Sequence, residues 1–549
     1  MEKEMKFLDR LKTFPKRLVL GVKNFFWRII KGIGNFFKDI YLAAKHHPKS
    51  FMSGLMSFFL MGLGQFRNKQ WFKAIPFLAI FLVFLLFELF TSNYVYAISG
   101  EIAKYPAEDG IFYFFRDYGG FITSGIWGFI TLGRLVLGDY YRGERIVAYD
   151  RVLTWKSADN SQVLLGEGII AVVLVVILII TWIFSIKDAY RSHKNFAETG
   201  KQETVKEFTK RVWNDYFAYI IIIPSAIMIF MFTLIPFLFS FLVAFTNWTE
   251  RISLIQMTFR WTFFDTFKMV FTNSAWLKFF IDVLSWTLIY AFMSSITVYV
   301  LGLIQALIIE SKYVKFKKLW RTILILPWAI PGIISLMLFR NVFADNGGLV
   351  NQILVQFDLV EKVKSFLFSV GLINQITPGN ILWLTSPANG TLAKFLVIIV
   401  NLWLGYPYFM MLITGVLGTI DQSLYEAADI DGANAPQKFR FITLPMILRA
   451  TAPVIITTFT FNFNNFGAIY FLTSGGPGYP LDQIPESVRI LGAQPGQTDI
   501  LISWIYKLSF GSANDQYNLA SVYSILIFVF IGLAAIYNLS KLKSFWEED

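Results

Sequence analysis

Three carboxylates lie close together in the segment EAADIDGANAPQKFRFITLP, residues 426–445 of the chain. Glu426, Asp429 and Asp431 are the only candidates in this sequence for acid–base chemistry, which needs positioned groups of suitable pKa. An enzyme would also need a nucleophile, a metal cluster or a partner base, and no basic or histidine partner is expected for these three. We therefore expect the chain not to be an enzyme. The segment itself is either a solvated hairpin or a contact surface for a partner.

A second polar group lies within an apolar run, in the stretch NLWLGYPY at residues 401–408. Asn401, Leu404, Gly405 and Tyr408 are spaced i, i+3, i+4 and i+7, which places them on one face of a helix. This face offers an amide, a hydroxyl and an aromatic ring without a formal charge.

The stretch FTFNFNNF, residues 459–466, carries similar chemistry. Thr458, Asn462 and Asn465 share one helical face by their spacing, and Phe461 lies next to it. Asn464 lies off that face, so it is expected to serve helix packing alone.

These two faces allow two interpretations. Uncharged amides and hydroxyls between aromatic rings suit a neutral, hydroxyl-rich solute, whereas a phosphate would need a basic groove and a cation would need carboxylates. The alternative is hydrogen bonding between packed helices, for which asparagine is often used within membranes. Because the amides come from two paired segments, we favour a binding site.

The elements that must position these residues are membrane-spanning helices. Hydrophobic residues make up 55% of the chain and charged residues 16%, unlike a soluble globular protein. Eight apolar runs with few or no charged residues approach or exceed the roughly 20 residues that cross a bilayer. They are residues 74–97, 168–186, 217–244, 283–309, 321–342, 394–418, 452–474 and 520–540. The expected fold class is an all-α polytopic membrane protein with about eight transmembrane helices.

Basic residues are concentrated at the N-terminus, where residues 1–73 carry a net charge of +11 out of +12 for the chain. Next to a membrane span, this excess predicts a cytoplasmic N-terminus and not nucleic-acid binding. Apolar residues at helical spacing between Leu18 and Ile40 indicate a basic amphipathic helix on anionic membrane lipids, with a disordered basic tail as the alternative. Eight spans then also leave the C-terminus and the segment around residues 421–445 in the cytoplasm.

Two glycine-rich runs, residues 51–66 and 120–138, are borderline spans. If both crossed the membrane there would be ten helices, with RNKQWFK outside against the charge bias and Arg134 inside the bilayer. We prefer eight spans, with both runs re-entrant or interfacial.

The energy source is expected to lie in another subunit. The predicted spans after residue 216 carry no charged or histidine side chain in their interiors, which argues against proton or sodium coupling. Glu88 in the first span is interpreted as a packing or interfacial contact. The sequence has no GxxxxGK[ST] phosphate-binding loop, so the chain is expected to bind no cofactor itself, ATP being bound by a partner.

Residues 421–445 are predicted to form two short helices joined by a turn. The signals, in chain order, are the N-cap Asp421, the turn residue Gly432, the capping-box pair Asn434 and Gln437, the first-turn Pro436, and Leu444-Pro445, which is expected to end the second helix before the next span.

This segment resembles the coupling motif of importer-type ABC transporter permeases. The pattern EAA, three residues, Gly, nine residues, Ile-x-Leu-Pro is matched at each fixed position between Glu426 and Pro445. The resemblance implies that the helix pair sits in a cleft of an ATPase subunit and that Glu426 contacts it. The implied coupling residues are Glu426, Ala427, Ala428, Asp429 and Gly432.

From about residue 216 onwards the chain resembles the maltose/maltodextrin permease subunit with the larger membrane domain, through LILPWAIP, NLWLGYPY, FNFNNF, TSGGP and TDILISWIYKLSF. This implies a type I importer core holding the sugar about halfway across the membrane. The implied contacts are Trp328, Asn401, Leu404, Gly405, Tyr408, Thr458, Phe461, Asn462 and Asn465. Trp328 stands where a tyrosine is usual and Thr458 where a serine is usual, so carbohydrate chemistry is kept while the preferred chain length stays open.

The expected organisation has three parts. Residues 1–73 are a cytoplasmic amphipathic region, residues 74–215 hold the first two spans with an enlarged extracellular loop at 98–167, and residues 216–549 are the permease core. In known members a large folded domain follows the third span, and here the connection at 245–282 is too short for one. Loop 98–167 is expected either to take over contact with the binding protein or to be a lid without a partner.

The expected function is a permease subunit of an ATP-driven maltose/maltodextrin importer in a bacterial inner membrane. Its expected partners are a second, homologous permease, an ATPase dimer, an extracellular sugar-binding protein, a maltodextrin substrate and membrane lipids. The alternatives are import of another neutral oligosaccharide, or a channel or exporter acting alone.

Overall fold

In the computed structural model, the described residues are 41–92, 94, 115, 118–132, 160–249, 259–311, 313–489, 494–511 and 515–539. The predicted amphipathic helix up to Ile40, most of loop 98–167 and the tail 540–549 lie outside these ranges. The chain divides into two compact units, Met1–Phe239 and Ser240–Asp549.

The first unit contains long apolar helices and short connecting ones. Its described helices are α1 (Pro48–Phe59), α2 (Leu63–Arg67), α3 (Trp71–Thr91), α4 (Phe121–Thr131) and α5 (Ser161–Thr199), followed by α6 (Val205–Val243), in which the division between the units falls.

The second unit is also built from helices in its described part. Its helices are α7 (Asp265–Thr272), α8 (Ser274–Glu310), α9 (Lys317–Ala329), α10 (Gly332–Val342), α11 (Leu349–Gln356), α12 (Val360–Ser369), α13 (Gly390–Leu417), α14 (Gln422–Ile430), α15 (Ala435–Phe463), α16 (Phe466–Thr473), α17 (Glu486–Arg489), α18 (Leu501–Phe510) and α19 (Tyr517–Leu539).

The polytopic architecture predicted from hydropathy is confirmed. Within the described residues, six helices are long and apolar enough to cross a membrane, and a seventh candidate is the bent pair α9–α10. The eighth predicted span corresponds to α19, whose 23 residues would extend about 34 Å at 1.5 Å per residue. All eight predicted runs therefore coincide with helices, although two of them are interrupted.

The fifth predicted span, residues 321–342, is not one helix. The helices α9 and α10 meet at 85°, and Ile330 between them is extended, with φ −87° and ψ 132°. Proline at 331 explains this break, because its ring disfavours helical backbone at the preceding residue. Hydropathy alone could not detect the bend, since both arms are apolar.

The seventh predicted span, residues 452–474, is displaced and interrupted. Helix α15 ends at Phe463, Asn464 leaves the helical conformation, and Asn465 caps α16 by accepting a hydrogen bond from the Ala468 N–H at 3.1 Å. At its other end, α15 passes through Leu444-Pro445 without ending, by way of a π-helical turn at Phe439–Thr443. The expectation that Leu444-Pro445 ends the helix was therefore wrong.

The two borderline runs do not form long helices in their described parts. Residues 51–66 are divided between α1 and α2, with a left-handed Gly62 at φ +88° between them. Helix α4 has 11 residues, about 16 Å at 1.5 Å per residue, whereas the hydrocarbon core is about 30 Å thick. This length agrees with the preferred interpretation of re-entrant or interfacial segments.

Glu88 caps the N-terminus of α4. Its carboxylate accepts backbone hydrogen bonds from Gly120 at 2.9 Å, Ile122 at 3.0 Å and Thr123 at 3.3 Å. The N–H groups of a first helical turn have no partner within the helix, and water is scarce in a membrane. The one acidic residue inside the first span thus has a structural role, as the sequence interpretation proposed.

Glycines allow α4 to pack closely against α5. A Cβ atom added to Gly125 would lie 2.8 Å from the Ala171 Cβ, and one added to Gly128 would lie 2.7 Å from the Leu164 Cδ2. Small residues at such crossings let helices in membranes approach each other. The glycine content of this run therefore reflects packing.

Replacing Glu88 with alanine is expected to destabilise the first unit by about 1–3 kcal/mol, because buried donors lose their acceptor. Thermal unfolding of the detergent-solubilised chain would show a lower midpoint. Glu88→Gln keeps a side-chain carbonyl at the same distance from the backbone, so it should lower the unfolding midpoint less than Glu88→Ala does. Equal midpoints for wild type and Glu88→Ala would contradict the capping role.

The core of the second unit is built around α8. One cluster contains Trp276 of α8 with Trp504 of α18 and Tyr523 of α19, and another contains Val298 of α8 with Phe409 of α13. Buried residues of α8 belong to each of the three core clusters. Helix α8 is therefore the scaffold against which the helices carrying the predicted solute contacts are held.

Candidate solute site and coupling module

The three predicted asparagines come together between α13 and the α15–α16 break. Asn401 donates to the Asn462 Oδ1 at 3.4 Å, and Asn465 donates to the Asn401 Oδ1 at 3.4 Å. Asn401 and Asn462 are 8% and 2% exposed. The two segments singled out by their spacing thus form one amide cluster, defined here as Asn401, Asn462 and Asn465.

A serine of α8 completes this cluster and was missed from the sequence. Ser295 accepts a hydrogen bond from the Asn462 Nδ2 at 3.0 Å, and its own hydroxyl donates to the Ala291 carbonyl at 2.6 Å. Serine is common in membrane helices, so its position in the sequence gave no signal. The amide cluster is therefore connected to the central helix α8 by a side-chain hydrogen bond.

Two aromatic rings form a pair, one of them about two turns beyond Asn401 on α13. The ring centroids of Trp328 on α9 and Tyr408 on α13 lie 5.8 Å apart, and both side chains are exposed. Phe461, next to the amide cluster, is 66% exposed. These three rings are accessible to a ligand, whereas the amides beside them are largely enclosed.

The remaining predicted contacts have structural neighbours within the chain. A Cβ atom added to Gly405 would lie 3.0 Å from both γ-carbons of Val298, so Gly405 allows α13 to cross α8 closely. Leu404 packs against the buried cluster around Trp286, and the Thr458 hydroxyl donates to the Val454 carbonyl of its own helix at 2.8 Å. Their side chains contribute less accessible surface than the rings.

The helix pair predicted at residues 421–445 begins as the local signals indicated. The Asp421 carboxylate caps α14 by accepting from the Ser423 N–H at 2.9 Å, and these hydrogen bonds to Ser423 hold the pKa of Asp421 below its usual value. Gly432 turns the chain at φ +75°. Asn434 and Gln437 form the expected capping box, with hydrogen bonds of 3.0 and 2.8 Å.

Asp429 forms an ion pair with Lys438 across the turn. The expectation that the acidic cluster has no basic partner was therefore wrong, because the turn at Gly432 brings two segments together that are nine positions apart. The Tyr425 hydroxyl also lies 2.8 Å from the Thr443 hydroxyl. These contacts join α14 to the start of α15 and leave Glu426 without an ion pair among the described residues.

The outer surface of this helix pair is apolar as well as acidic. Ile430 is 87% exposed and Phe441 is 70% exposed, while Glu426 and Ala427 also face outwards. Exposed apolar side chains beside a carboxylate are typical of a contact surface for another protein. Residues 421–445 are called the coupling module below.

The described residues contain no group of three or more His, Cys, Asp or Glu side chains that could hold a metal ion. The described residues combine membrane-spanning helices, an uncharged amide cluster between helices and an exposed helix pair. This architecture is that of a polytopic membrane protein.

The chain belongs to a family of transporter subunits. Residues 298–542 match the family model described as binding-protein-dependent transport system inner membrane component. Members are non-catalytic membrane permease subunits of ABC importers, so the chain is a multi-pass permease and not an enzyme.

Three relatives illustrate the range of similarity. The galactooligosaccharides transport system permease protein GanP of Bacillus subtilis strain 168 is 35% identical over 487 residues, covering 89% of this chain and 96% of GanP. The maltodextrin transport system permease protein MdxF of the same organism is 33% identical over 511 residues, covering 92% and 99%. The maltose/maltodextrin permease protein MalF of Vibrio vulnificus strain YJ016 is 34% identical over 280 residues, covering 51% and 48%.

Proposed function

We propose that this permease imports maltose and maltodextrins across a bacterial inner membrane. The observation that carries the proposal is the uncharged amide cluster of Asn401, Asn462 and Asn465 beside accessible aromatic rings. Amides suit sugar hydroxyls and rings suit the apolar faces of pyranoses. The similarity to MdxF and MalF supports the same substrate class.

The proposed path for energy begins at the coupling module. An ATPase dimer binds this module, and a second, homologous permease completes the membrane pore. A sugar-binding protein outside the cell delivers the substrate. Glu426, Ala427, Ala428, Asp429 and Gly432 are the proposed contact region, where small side chains permit close approach and the carboxylate offers a charge-assisted hydrogen bond. Nucleotide-driven closure then moves the spans as rigid bodies.

A second substrate is favoured by one observation, the 35% identity to GanP over 89% of the chain. Galacto-oligosaccharides are also neutral and rich in hydroxyls, so the amide cluster suits them as well. The two candidates differ in ring stereochemistry and linkage, which the aromatic pair of Trp328 and Tyr408 would sense.

Competition in a transport assay distinguishes the two substrates. The chain would be reconstituted into proteoliposomes with its co-encoded partners, and ATP-dependent uptake of labelled maltotriose would be measured. We expect unlabelled maltodextrins to block the uptake of labelled maltotriose, and galacto-oligosaccharides to leave most of that uptake unchanged. ATP-dependent uptake of galacto-oligosaccharides with no maltotriose uptake would reject the maltodextrin assignment and keep the coupling mechanism.

A further inference from the structure

A cavity of about 160 Å³ lies in the first unit, between the loop after α2 and the C-terminal part of α5. It offers roughly ten times the 10–15 Å³ that one water molecule needs. Three of its lining residues are basic or can become so, namely Arg67, Lys69 and His193, and no carboxylate is among the described residues that line it. Its size and lining suit an anionic group.

The carboxylates near this cavity are already neutralised by other cations. Lys73, 2% exposed, lies 3.3 Å from the Asp188 carboxylate and 2.7 Å from that of Glu203. Glu203 also pairs with Arg211 at 3.1 Å. Burying an ion pair requires such complete compensation, so these two acids are not available to the cations of the cavity.

The cations of the cavity lack such compensation. Among the described residues, neither Arg67 nor Lys69 lies within ion-pair distance of a carboxylate. Burial lowers the pKa of His193, and the positive charges of Arg67 and Lys49 lower it further. Arg67 and Lys69 therefore offer two positive charges that an anion could pair with, and a bound anion would in turn favour the protonated form of His193.

The geometry of the lining residues is fixed by hydrogen bonds that leave donors free. The His193 Nδ1 lies 3.0 Å from the Ser50 hydroxyl, and within the described residues the structure shows no hydrogen bond to the His193 Nε2. The Asn68 side chain donates to the Ala189 carbonyl at 2.8 Å, which joins the loop to α5. Lys69 adopts a left-handed backbone at φ +58°, a conformation that is costly for a side chain other than glycine.

The position of the cavity matches the depth of lipid headgroups. Trp71 is 58% exposed at the first residue of α3, and exposed tryptophan at the end of a span is typical of the membrane interface. Phe196, which is 48% exposed, adds an apolar wall to the cavity. The positive charge and the apolar wall together suit a phosphate group attached to a glycerol backbone.

We propose that this cavity binds a phosphate group, through Arg67, Lys69 and His193, with an anionic phospholipid or free inorganic phosphate as its source. Its residues belong to the first unit, whereas the amide cluster and the coupling module belong to the second. A lipid bound here would fasten the loop between α2 and α3 to α5.

The test measures binding to the full-length chain purified in a neutral detergent. The probes are dioctanoyl phosphatidylglycerol, inorganic phosphate, and dioctanoylglycerol, which has the same acyl chains without a phosphate. We expect Arg67→Gln combined with Lys69→Gln to weaken phosphatidylglycerol binding by roughly tenfold or more, because charge-assisted hydrogen bonds to phosphate are among the strongest. The matched control is Lys206→Gln, which removes an exposed cation outside the cavity and should leave the affinity unchanged.

The outcomes separate the two sources. If phosphatidylglycerol binds more tightly than inorganic phosphate and its affinity falls in the double variant, the site is supported with a lipid as ligand. If inorganic phosphate binds as tightly as phosphatidylglycerol, and the double variant weakens both equally, the site is supported with a soluble ligand. Equal binding of dioctanoylglycerol, or unchanged affinity in a double variant that retains the wild-type unfolding midpoint, overturns the proposal.

Discussion

Replacing Glu426 with lysine is expected to abolish ATP-driven sugar uptake while the chain stays folded in the membrane. Breaking a buried, hydrogen-bonded charge contact at an interface costs about 2–5 kcal/mol, so productive coupling should fall roughly thirtyfold or more. Folding should be unaffected, because Glu426 is exposed and has no ion pair among the described residues of this chain. Uptake and ATP hydrolysis would both be measured in proteoliposomes containing the co-encoded partners.

The matched control for this prediction is Asp431→Lys. Asp431 is exposed on the same helix pair and undergoes the same reversal of charge, but it is not among the residues proposed to contact the ATPase. We expect it to retain most of the uptake. Loss of the folded chain in Glu426→Lys, or equal loss of uptake in both variants, would contradict a specific docking role for Glu426.

Replacing Asn462 with alanine is expected to lower maltotriose uptake about tenfold, without changing basal ATP hydrolysis. Asn462 accepts from Asn401 and donates to Ser295, and side-chain hydrogen bonds between membrane helices are worth about 0.6–2 kcal/mol each. Its loss leaves the Asn401 Nδ2 without its acceptor, while the Asn401 Oδ1 still accepts from Asn465. This would alter the surface that we propose the sugar contacts. The concentration dependence of uptake should show a raised KM.

Asn464→Ala is the control for the amide cluster. Asn464 is exposed, and within the described residues its side-chain amide donates only to the Thr460 carbonyl of its own helix, at 3.3 Å. We expect nearly normal uptake in this variant. A parallel fall of basal ATP hydrolysis in Asn462→Ala would mean that Asn462 serves helix packing and that the sugar lies elsewhere.

Local signals in the sequence were sufficient to predict the beginning of the coupling module. Asp421, Gly432 and the Asn434–Gln437 pair act through hydrogen bonds and backbone angles within a few residues, so they could be recognised without knowledge of the fold. Hydropathy was likewise sufficient to locate the spans, because it depends on composition over a long window.

Features that depend on backbone breaks or on distant residues were not predictable in this way. The residues on both sides of Pro331 and of Asn464 are apolar. A prediction from hydropathy therefore gave one span where the backbone forms two separate helices. The contacts of Ser295 with Asn462 and of Asp429 with Lys438 depend on how segments meet in space. The spacing rule predicted which asparagines share a face, but could not reveal what they contact.

Helix α15 runs without interruption from the coupling module at Ala435 to the amide cluster at Phe463, about 42 Å along its axis at 1.5 Å per residue. Each residue advances a helix by about 100°, so one residue inserted between these two ends would turn the asparagine face away from α13. The number of residues between the two ends therefore sets the direction in which the side chains at one end point relative to those at the other. Any change in the length of this segment would alter which face of α15 carries Asn462 toward Asn401.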